Sequence, residues 1–261
     1  MSQSQDVKSA SRVIQILELL SHHRDGLTFT QLHNKLQIPK SSLSALLATI
    51  EKDRWIDFDA GNKAFKTGLR AWETSQRFVR HLDLAESAEE HLIYLRNSLN
   101  MTVHLAIRDG RDVVYVSQMK ATTEHSLPSH VGGRLPASAT ALGKALLGGL
   151  SQEDLAKMYN KVQLQRFTEF TVTDFSLLAK EIQESKARGF AQANGDFKRD
   201  VFCVAAPIRN NSNQLIAAIS CTISKKEIGQ LSSITNQIRE VVMQQAEEIS
   251  QEIGATVQIG N

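Results

Sequence analysis

The segment PKSSLSALLATIEKDRW, residues 39–55, decides the fold of this chain. Its apolar side chains recur at i, i+3, i+4 and i+7, the spacing that lines one face of a helix, at Leu43, Leu46, Leu47 and Ile50. Pro39 suits the first turn of such a helix, where a missing N–H costs little. Because the opposite face carries small or polar side chains, we predict a helix that packs on a small core and presents its outer face to a groove.

The segments on either side of this helix complete a motif. Upstream, LTFTQLHNKLQI (residues 27–38) predicts a shorter helix, with Thr28 and Gln31 at the spacing of a capping box. Downstream, residues 55–68 predict two short strands joined by a tight turn at Gly61. Helix, turn, helix and hairpin in this order indicate a winged helix-turn-helix, in which the second helix enters the major groove of DNA.

The charge distribution favours DNA binding over the all-α domains in which the same helix pair binds no nucleic acid. Residues 1–80 carry twelve Lys and Arg against eight Asp and Glu, a net charge of +4. The remaining residues carry 18 basic against 20 acidic side chains, a net charge of −2. A basic module of this kind suits phosphate contact. The expected partner is double-stranded operator DNA, and the candidate contacts are Arg12, Thr28, Lys40, Ser41, Ser42, Ser44, Ala45, Lys63 and Lys66.

The chain after residue 100 changes to a mixed pattern. Two segments with strand-like alternation flank Gly110, which predicts a hairpin, and two more lie at residues 202–208 and 215–223. Helical patterns lie between and after them, including one that is predicted to begin at Ser138 and end at Gly148. The fold class is therefore α+β. We predict a DNA-binding domain over residues 1–68, a helical linker over 69–82, and a second domain over 83–261.

Length and composition limit the other possibilities. The 261 residues, 41% of them hydrophobic, can form one large core or two modest ones. No apolar run approaches the ~20 residues that span a bilayer. The first residues lack the apolar core of a signal peptide. Two cysteines make no disulfide framework. We therefore expect a cytoplasmic protein that has no membrane partner.

Three segments resemble bacterial transcription regulators of the IclR type: residues 9–56, GGRLPASATALGKALL (132–147) and RGFAQANGDFKRDVFCVAAPI (188–208). The resemblance covers nearly the whole chain in order. It implies a GAF- or profilin-like effector-binding domain after the winged helix-turn-helix. It also implies a repressor or activator that works as a homo-oligomer, either a dimer or a dimer of dimers, without enzymatic activity or a cofactor.

The resemblance further implies a pocket for a small organic acid. Its matching positions in this chain are the backbone amides of Ala141 and Leu142, then Ala193, Cys203, Ser220 and Thr222. The family commonly has an acidic residue at the position of Ala193, ten residues before the cysteine. Without that acidic residue, the pocket lacks an acceptor for a hydroxyl group of the ligand. The hypothesis is therefore a larger or more apolar carboxylate, such as an aromatic acid, in place of a short hydroxy- or keto-acid.

The recognition helix departs from the family as well. The family usually places Arg where this chain has Ala45 and often places His at Ser44. Serines discriminate weakly between bases, whereas a bidentate Arg–guanine pair contributes about 1–3 kcal/mol. Specificity is then expected to depend on contacts of Ala45 and Ala48 with thymine methyl groups, or on DNA shape.

The cysteines and histidines leave two other functions open. One is a small-molecule hydrolase with Cys203 as nucleophile and His104 or His125 as base, which needs a base within hydrogen-bond reach. The other is a redox sensor that uses Cys203 and Cys221, although strand alternation turns these two side chains to opposite faces. The histidines lack the spacing of metal ligands, so no metal is expected.

Overall fold

The computed structural model describes residues 7–80, 84–121, 129–226 and 231–259. The chain divides into two compact units, residues 1–81 and 82–261. Within the described residues, no helix is both long and apolar enough to cross a membrane. His125, one of the bases considered above, lies outside the described residues.

The first unit is a set of helices with a small three-stranded sheet. Its elements are α1 (Lys8–Ser21), β1 (Leu27–Thr28), α2 (Phe29–Leu36), α3 (Lys40–Lys52), β2 (Ile56–Asp59), β3 (Ala64–Thr67) and α4 (Leu69–Arg80). The strands are antiparallel in the order β1-β3-β2. The predicted helix pair and hairpin are confirmed. The two-residue strand β1 was missed, because a segment this short shows no alternation.

Local signals explain where α2 and α3 begin. The predicted capping box is confirmed: the Gln31 amide donates to Thr28 Oγ1 at 3.3 Å, and the Thr28 amide donates to Gln31 Oε1 at 2.8 Å. Gln37 ends α2 in the left-handed conformation, with a φ of 53°. On α3 the predicted stripe is buried at Leu43, Leu47 and Ile50, where it packs with core residues of α1 and α2.

The second unit is a six-stranded antiparallel sheet with helices on both faces. Its elements are α5 (Leu84–Leu99), β4 (Thr102–Asp109), β5 (Asp112–Met119), β6 (Arg134–Pro136), α6 (Ala141–Leu147), α7 (Gln152–Tyr159), α8 (Phe175–Arg188), β7 (Ala191–Asn194), β8 (Val201–Arg209), β9 (Leu215–Ser224) and α9 (Leu231–Ile259). The strand order is β6-β5-β4-β9-β8-β7. The predicted α+β class is confirmed.

The sheet separates two apolar cores. One core packs the sheet against α5 and α9 and includes Leu92, Val103, Cys221 and Val242. The other packs the opposite face against α6, α7 and α8. Strands that are buried on both faces read as apolar runs, which is why residues 202–208 and 215–223 were recognisable in the sequence.

Helix α6 begins later than predicted. Ala137–Ala139 form a 3-10 turn, and α6 starts at Ala141 rather than at Ser138. The reason is Thr140, whose side chain accepts a hydrogen bond from the Gly143 amide at 3.1 Å and so caps the helix. Ser151 caps α7 by accepting from the Asp154 amide, and α8 ends at Gly189 in the left-handed conformation. The short strands β6 and β7 were not predicted, since one contains Pro136 and the other is AQAN.

Gly143 holds α6 against the turn before it. A Cβ at this position would lie 2.1 Å from the Ala137 carbonyl oxygen, which is backbone and cannot rotate away. We expect Gly143→Ala to lower the free energy of unfolding by about 1–3 kcal/mol, measured by urea denaturation. The matched control is Gly148→Ala, where the nearest atom would be 3.1 Å away. Equal stability of the two variants would contradict the close approach.

Candidate functional site

The outer face of α3 is an open surface. Lys40, Ser41, Ser44 and Ala45 are exposed, and Ser42 is half-buried. Further along the same face, Thr49 donates a hydrogen bond to the Ala45 carbonyl at 2.8 Å and so turns its hydroxyl toward the helix. The first two turns of α3 therefore present a small, mostly neutral surface with one cation at its start.

The hairpin after α3 contains an ion pair that was not among the sequence predictions. Lys66 Nζ lies 2.8 Å from Asp59 Oδ2, while Asp59 Oδ1 accepts from the Gly61 amide at 3.0 Å. The Lys66 contact, followed by the turn amide of Asn62, lowers the pKa of Asp59 to about 2. Lys66 is therefore held by Asp59, whereas Lys63 is exposed at the turn with a φ of 51°.

The other two predicted DNA contacts lie elsewhere in the first unit. Arg12 is half-buried on α1. Thr28 is half-buried, and its hydroxyl is engaged in the cap of α2. The predicted α3 residues thus lie on one face of the helix, and the two lysines lie on the hairpin. Thr28 instead stabilises the start of α2.

All six predicted effector residues line one pocket of the second unit. Its walls come from the start of α6, from β7 and the loop that follows, and from β8 and β9. The pocket has an empty volume of about 410 Å³, counted out to its opening. Four further polar residues line the pocket that the sequence pattern did not assign to it, namely His104, Tyr115, Asp196 and Lys198. His104 reaches the pocket because it lies opposite Ser220 in the pairing of β4 with β9, a long-range contact that local sequence patterns do not show.

Cys203 and Thr222 face the pocket as a bonded pair. They lie opposite each other on β8 and β9, with 3.1 Å between Cys203 Sγ and Thr222 Oγ1. Burial raises the pKa of the Cys203 thiol to about 12, although the Thr222 contact opposes the shift. The thiol is therefore protonated at neutral pH and behaves as a small, weakly polar wall.

Asp196 lies in the loop after β7, where it is buried and forms an ion pair with Lys144 of α6 at 2.5 Å. Its other oxygen accepts from the Asn194 amide at 2.7 Å. Lys144 also contacts Glu181 of α8 at 2.6 Å. A lysine inside an otherwise apolar helix is the sequence signal that predicts such a buried counter-charge.

Comparison with known protein families gives one match in the N-terminal part of the chain and one in the C-terminal part. The family model described as "IclR helix-turn-helix domain" matches residues 9–60. The family model described as "Bacterial transcriptional regulator IclR C-terminal" matches residues 76–251.

The chain belongs to the IclR family. It is a DNA-binding transcription regulator rather than an enzyme.

Members of the IclR family match this chain over most of its length. The HTH-type transcriptional regulator XynR of Escherichia coli K12 is 28% identical over 236 residues, which is 90% of this chain and 94% of XynR. The solved IclR of Thermotoga maritima is similar in fold, with a TM-score of 0.79 at 21% identity, over 95% of this chain and all of that one. An IclR homologue from Microbacterium hydrocarbonoxydans, solved in complex with 4-hydroxybenzoate, has a TM-score of 0.84 at 22% identity and covers 94% of this chain and 98% of its own.

The geometry of this IclR regulator also weighs against the two cysteine-based functions. Cys203 and His104 do line the same pocket, which the sequence did not indicate. However, the thiol contacts Thr222, and His104 Nε2 contacts Ser129 and Gln118, so the two form no nucleophile–base pair. Cys221 lies in the core on the other face of the sheet, and burial raises its pKa as well. Within the described ranges, no three His, Cys, Asp or Glu residues are arranged to hold a metal ion.

The Asp59–Lys66 pair makes a testable prediction about the DNA surface. We expect Asp59→Asn to free Lys66 for phosphate and to steepen the slope of log affinity against log salt concentration by about 1. Fluorescence anisotropy with duplex DNA at several salt concentrations measures this slope. Asp53→Asn is the control, because it removes the same charge from an exposed position at the end of α3, whereas Asp57 lies directly opposite Lys66 on the hairpin. An identical slope change in both variants would mean that only net charge matters.

Proposed function

We propose that this regulator binds a small organic acid in the pocket of its second unit and that the bound acid changes its affinity for operator DNA. The observation that carries the proposal is that Ala141, Leu142, Ala193, Cys203, Ser220 and Thr222 line one concave pocket. A mostly apolar cavity with a few convergent polar groups is the usual form of a small-molecule site.

The chemistry of the pocket supports a carboxylate. Ala141 and Leu142 are the first two residues of α6, so their amides lack acceptors within the helix. These N–H groups can donate to an anion at the pocket wall. The pocket's own carboxylate, on Asp196, is neutralised by Lys144 and so repels an incoming acid less.

The apolar walls support an acid with an apolar body, such as an aromatic carboxylate. Ala193 adds a methyl group to the wall, and Cys203, which lies opposite it, is protonated. The homologue from Microbacterium hydrocarbonoxydans was solved with 4-hydroxybenzoate, which is such an acid. A short hydroxy- or keto-acid would leave these walls without contact.

On the DNA side, we propose that α3 enters the major groove and that Lys40, Ser41, Ser42, Ser44 and Ala45 meet it there. Lys63 and Arg12 would contact phosphates. One small helix covers few base pairs, so the active form is a homo-oligomer, a dimer or a dimer of dimers, that places two such helices about one helical turn apart. The acid would act by favouring one arrangement, with a coupling free energy of about 1–3 kcal/mol. Residues 69–82 would transmit the change.

A thermal-shift screen of aliphatic and aromatic monocarboxylates tests the ligand. At a 100-fold excess over Kd, a ligand of the native state adds about 2.7 kcal/mol, which raises Tm by about 5–10 °C for a domain of this size. We expect the aromatic acids to give the largest shifts. Stabilisation by short keto-acids alone would contradict the proposed ligand class.

The variant Ala141→Pro tests the role of the α6 amides in the same assay. Proline suits the first position of a helix and removes one N–H. Thr140 before it is already extended, with φ −128° and ψ 149°, as a residue preceding proline must be. We expect roughly tenfold weaker acid binding. Gln152→Pro at the first position of α7, outside the pocket, is the matched control and should bind normally.

DNA binding is tested by competition between the upstream fragment of the regulator's own gene and random duplex. We expect Lys63→Ala to weaken binding to both and to reduce the salt slope by about 1. Ser44→Ala should instead reduce the preference for the specific fragment at an unchanged slope. If the unmutated protein showed no preference with any acid present or absent, the proposal would be wrong.

A further inference from the structure

The turn between α2 and α3 contains no glycine, although the turn of a helix-turn-helix often does. It consists of Gln37, Ile38 and Pro39. Gln37 adopts the left-handed conformation, with a φ of 53°, which glycine adopts freely and a residue with a Cβ adopts only at a cost. Other contacts must therefore hold this turn in its shape.

His33, in the last turn of α2, bonds to both sides of the left-handed residue. Its backbone carbonyl accepts from the Gln37 amide at 2.9 Å, and its imidazole Nδ1 lies 2.8 Å from the Ile38 carbonyl oxygen. Because a carbonyl oxygen can only accept, Nδ1 carries a proton and donates it to this bond. Gln37 Nε2 also donates to the Asn34 carbonyl at 2.7 Å. We call these three hydrogen bonds, made by His33, Asn34, Gln37 and Ile38, the turn clamp.

The Ile38 carbonyl lies just outside the hydrogen-bond ladder of α3. That ladder begins where the Leu43 amide donates to the Pro39 carbonyl at 2.9 Å, one residue further on. Ile38 is 2% exposed and belongs to the same core as Leu43 and Leu47 of α3. Its carbonyl is therefore shielded from water, and a shielded carbonyl that lost its partner would destabilise the turn.

The turn clamp fixes the direction in which the chain enters α3. Ile38 is held by its side chain in the core and by its carbonyl at His33. Pro39 follows with φ restricted by its ring, at −51°. Without the imidazole, the contact that remains at Ile38 is apolar packing, which is not directional. The bond from His33 is therefore the directional link between α2 and the first turn of α3.

The outer face of α3 tolerates little change in its position. Ser41, Ser44 and Ala45 are exposed there and have short side chains, so they reach a base edge only when the helix backbone lies at the correct distance. Hydrogen bonds weaken steeply outside their normal geometry. The long, flexible side chains of Lys40 and Lys63 can instead follow a phosphate through a small displacement. A shift of α3 therefore affects sequence preference more than overall affinity.

We propose that His33 is a positioning residue for DNA recognition. Its imidazole sets the orientation of α3 and, through α3, the preference of the regulator for one DNA sequence. His33 needs no contact with DNA for this role. The inference rests on the proposed placement of α3 in the major groove, and it adds a residue of α2 to the determinants of specificity.

Two substitutions separate the hydrogen bond of His33 from the bulk of its ring. Asn and Leu branch at the same atom and are similar in size, but only Asn carries an N–H group near the position of Nδ1. We expect His33→Leu to bind a specific duplex on the order of tenfold more weakly. Its affinity for a scrambled duplex should stay within about twofold, with the same salt slope. His33→Asn should retain most of the specific affinity.

Fluorescence anisotropy with the full chain measures both affinities. The specific duplex is one that the unmutated chain selects from a random library, and the scrambled duplex has the same composition. His33→Gln is a second variant with the same expected loss as His33→Leu, because its amide lies one carbon further from the backbone than that of Asn. Thermal denaturation without DNA shows whether each variant is folded.

His23→Leu is the matched control. His23 is also half-buried in the first unit, and its Nδ1 also lies 2.8 Å from a backbone carbonyl oxygen, that of Leu19. It follows α1, however, and takes no part in the turn clamp. His23→Leu therefore removes an equivalent bond and should keep the sequence preference of the unmutated chain.

The outcomes separate a positioning role from a structural one. If His33→Leu and His33→Gln weakened binding to both duplexes equally, or kept the full preference, the inference would be wrong. An equal loss of preference in His33→Asn or in His23→Leu would also overturn it, because the donor at the turn would then not be the cause. If the unmutated chain selected no sequence from the library, the proposed placement of α3 would fail and the inference with it.

Discussion

The ion pair between Lys144 and Asp196 fixes the walls of the pocket. Lys144 is 3% exposed and lies in the middle of α6, and Asp196 is 6% exposed and lies in the loop after β7. Removing Lys144 would leave the buried Asp196 carboxylate uncompensated, at a cost of about 3–5 kcal/mol, whereas removing Asp196 would leave Lys144 paired with Glu181. The pair therefore holds the helix and the loop at one separation. Thr168 and Thr171 hold the same loop from outside through the backbone carbonyls of Gly195 and Asp196.

The pocket also depends on small residues under α6. Ala106, Ala193, Ala205 and Ala218 are buried on the sheet face that α6 covers, and Gly143 lets the helix lie against the Ala137 backbone. Because α6 lies close to the sheet, the cavity is at the start of this helix and not beneath it. Larger side chains on the other face, such as Leu92 and Val103, fill the core against α5 and α9. One sheet thus has a packed face and a face with a cavity.

The sequence predicted what depends on period and spacing. The stripe on α3, the cap at Thr28, and the opposite facing of Cys203 and Cys221 all follow from local geometry, and the structure agrees. What could not be predicted depends on partners far apart in sequence. Lys144 and Asp196 are separated by more than fifty residues, and His104 joins the pocket only because β4 pairs with β9. Asp59 and Lys66 are much closer in the sequence, but a count of charged residues does not show that these two form an ion pair.

The first unit presents few basic side chains on α3 and the hairpin, and this is compatible with regulation of DNA binding by a ligand. Lys66 is held by Asp59, and the exposed side chains at the start of α3 are one lysine and a few serines. Specific binding typically exceeds non-specific binding by about 4–10 kcal/mol. A coupling of about 1–3 kcal/mol is a large part of that difference only when the specific contacts are few. Strong arginine contacts would add affinity in every state of the regulator and leave the ligand less control. Under the proposed function, few strong contacts from α3 and a well-formed pocket would therefore be complementary properties of one ligand-responsive regulator.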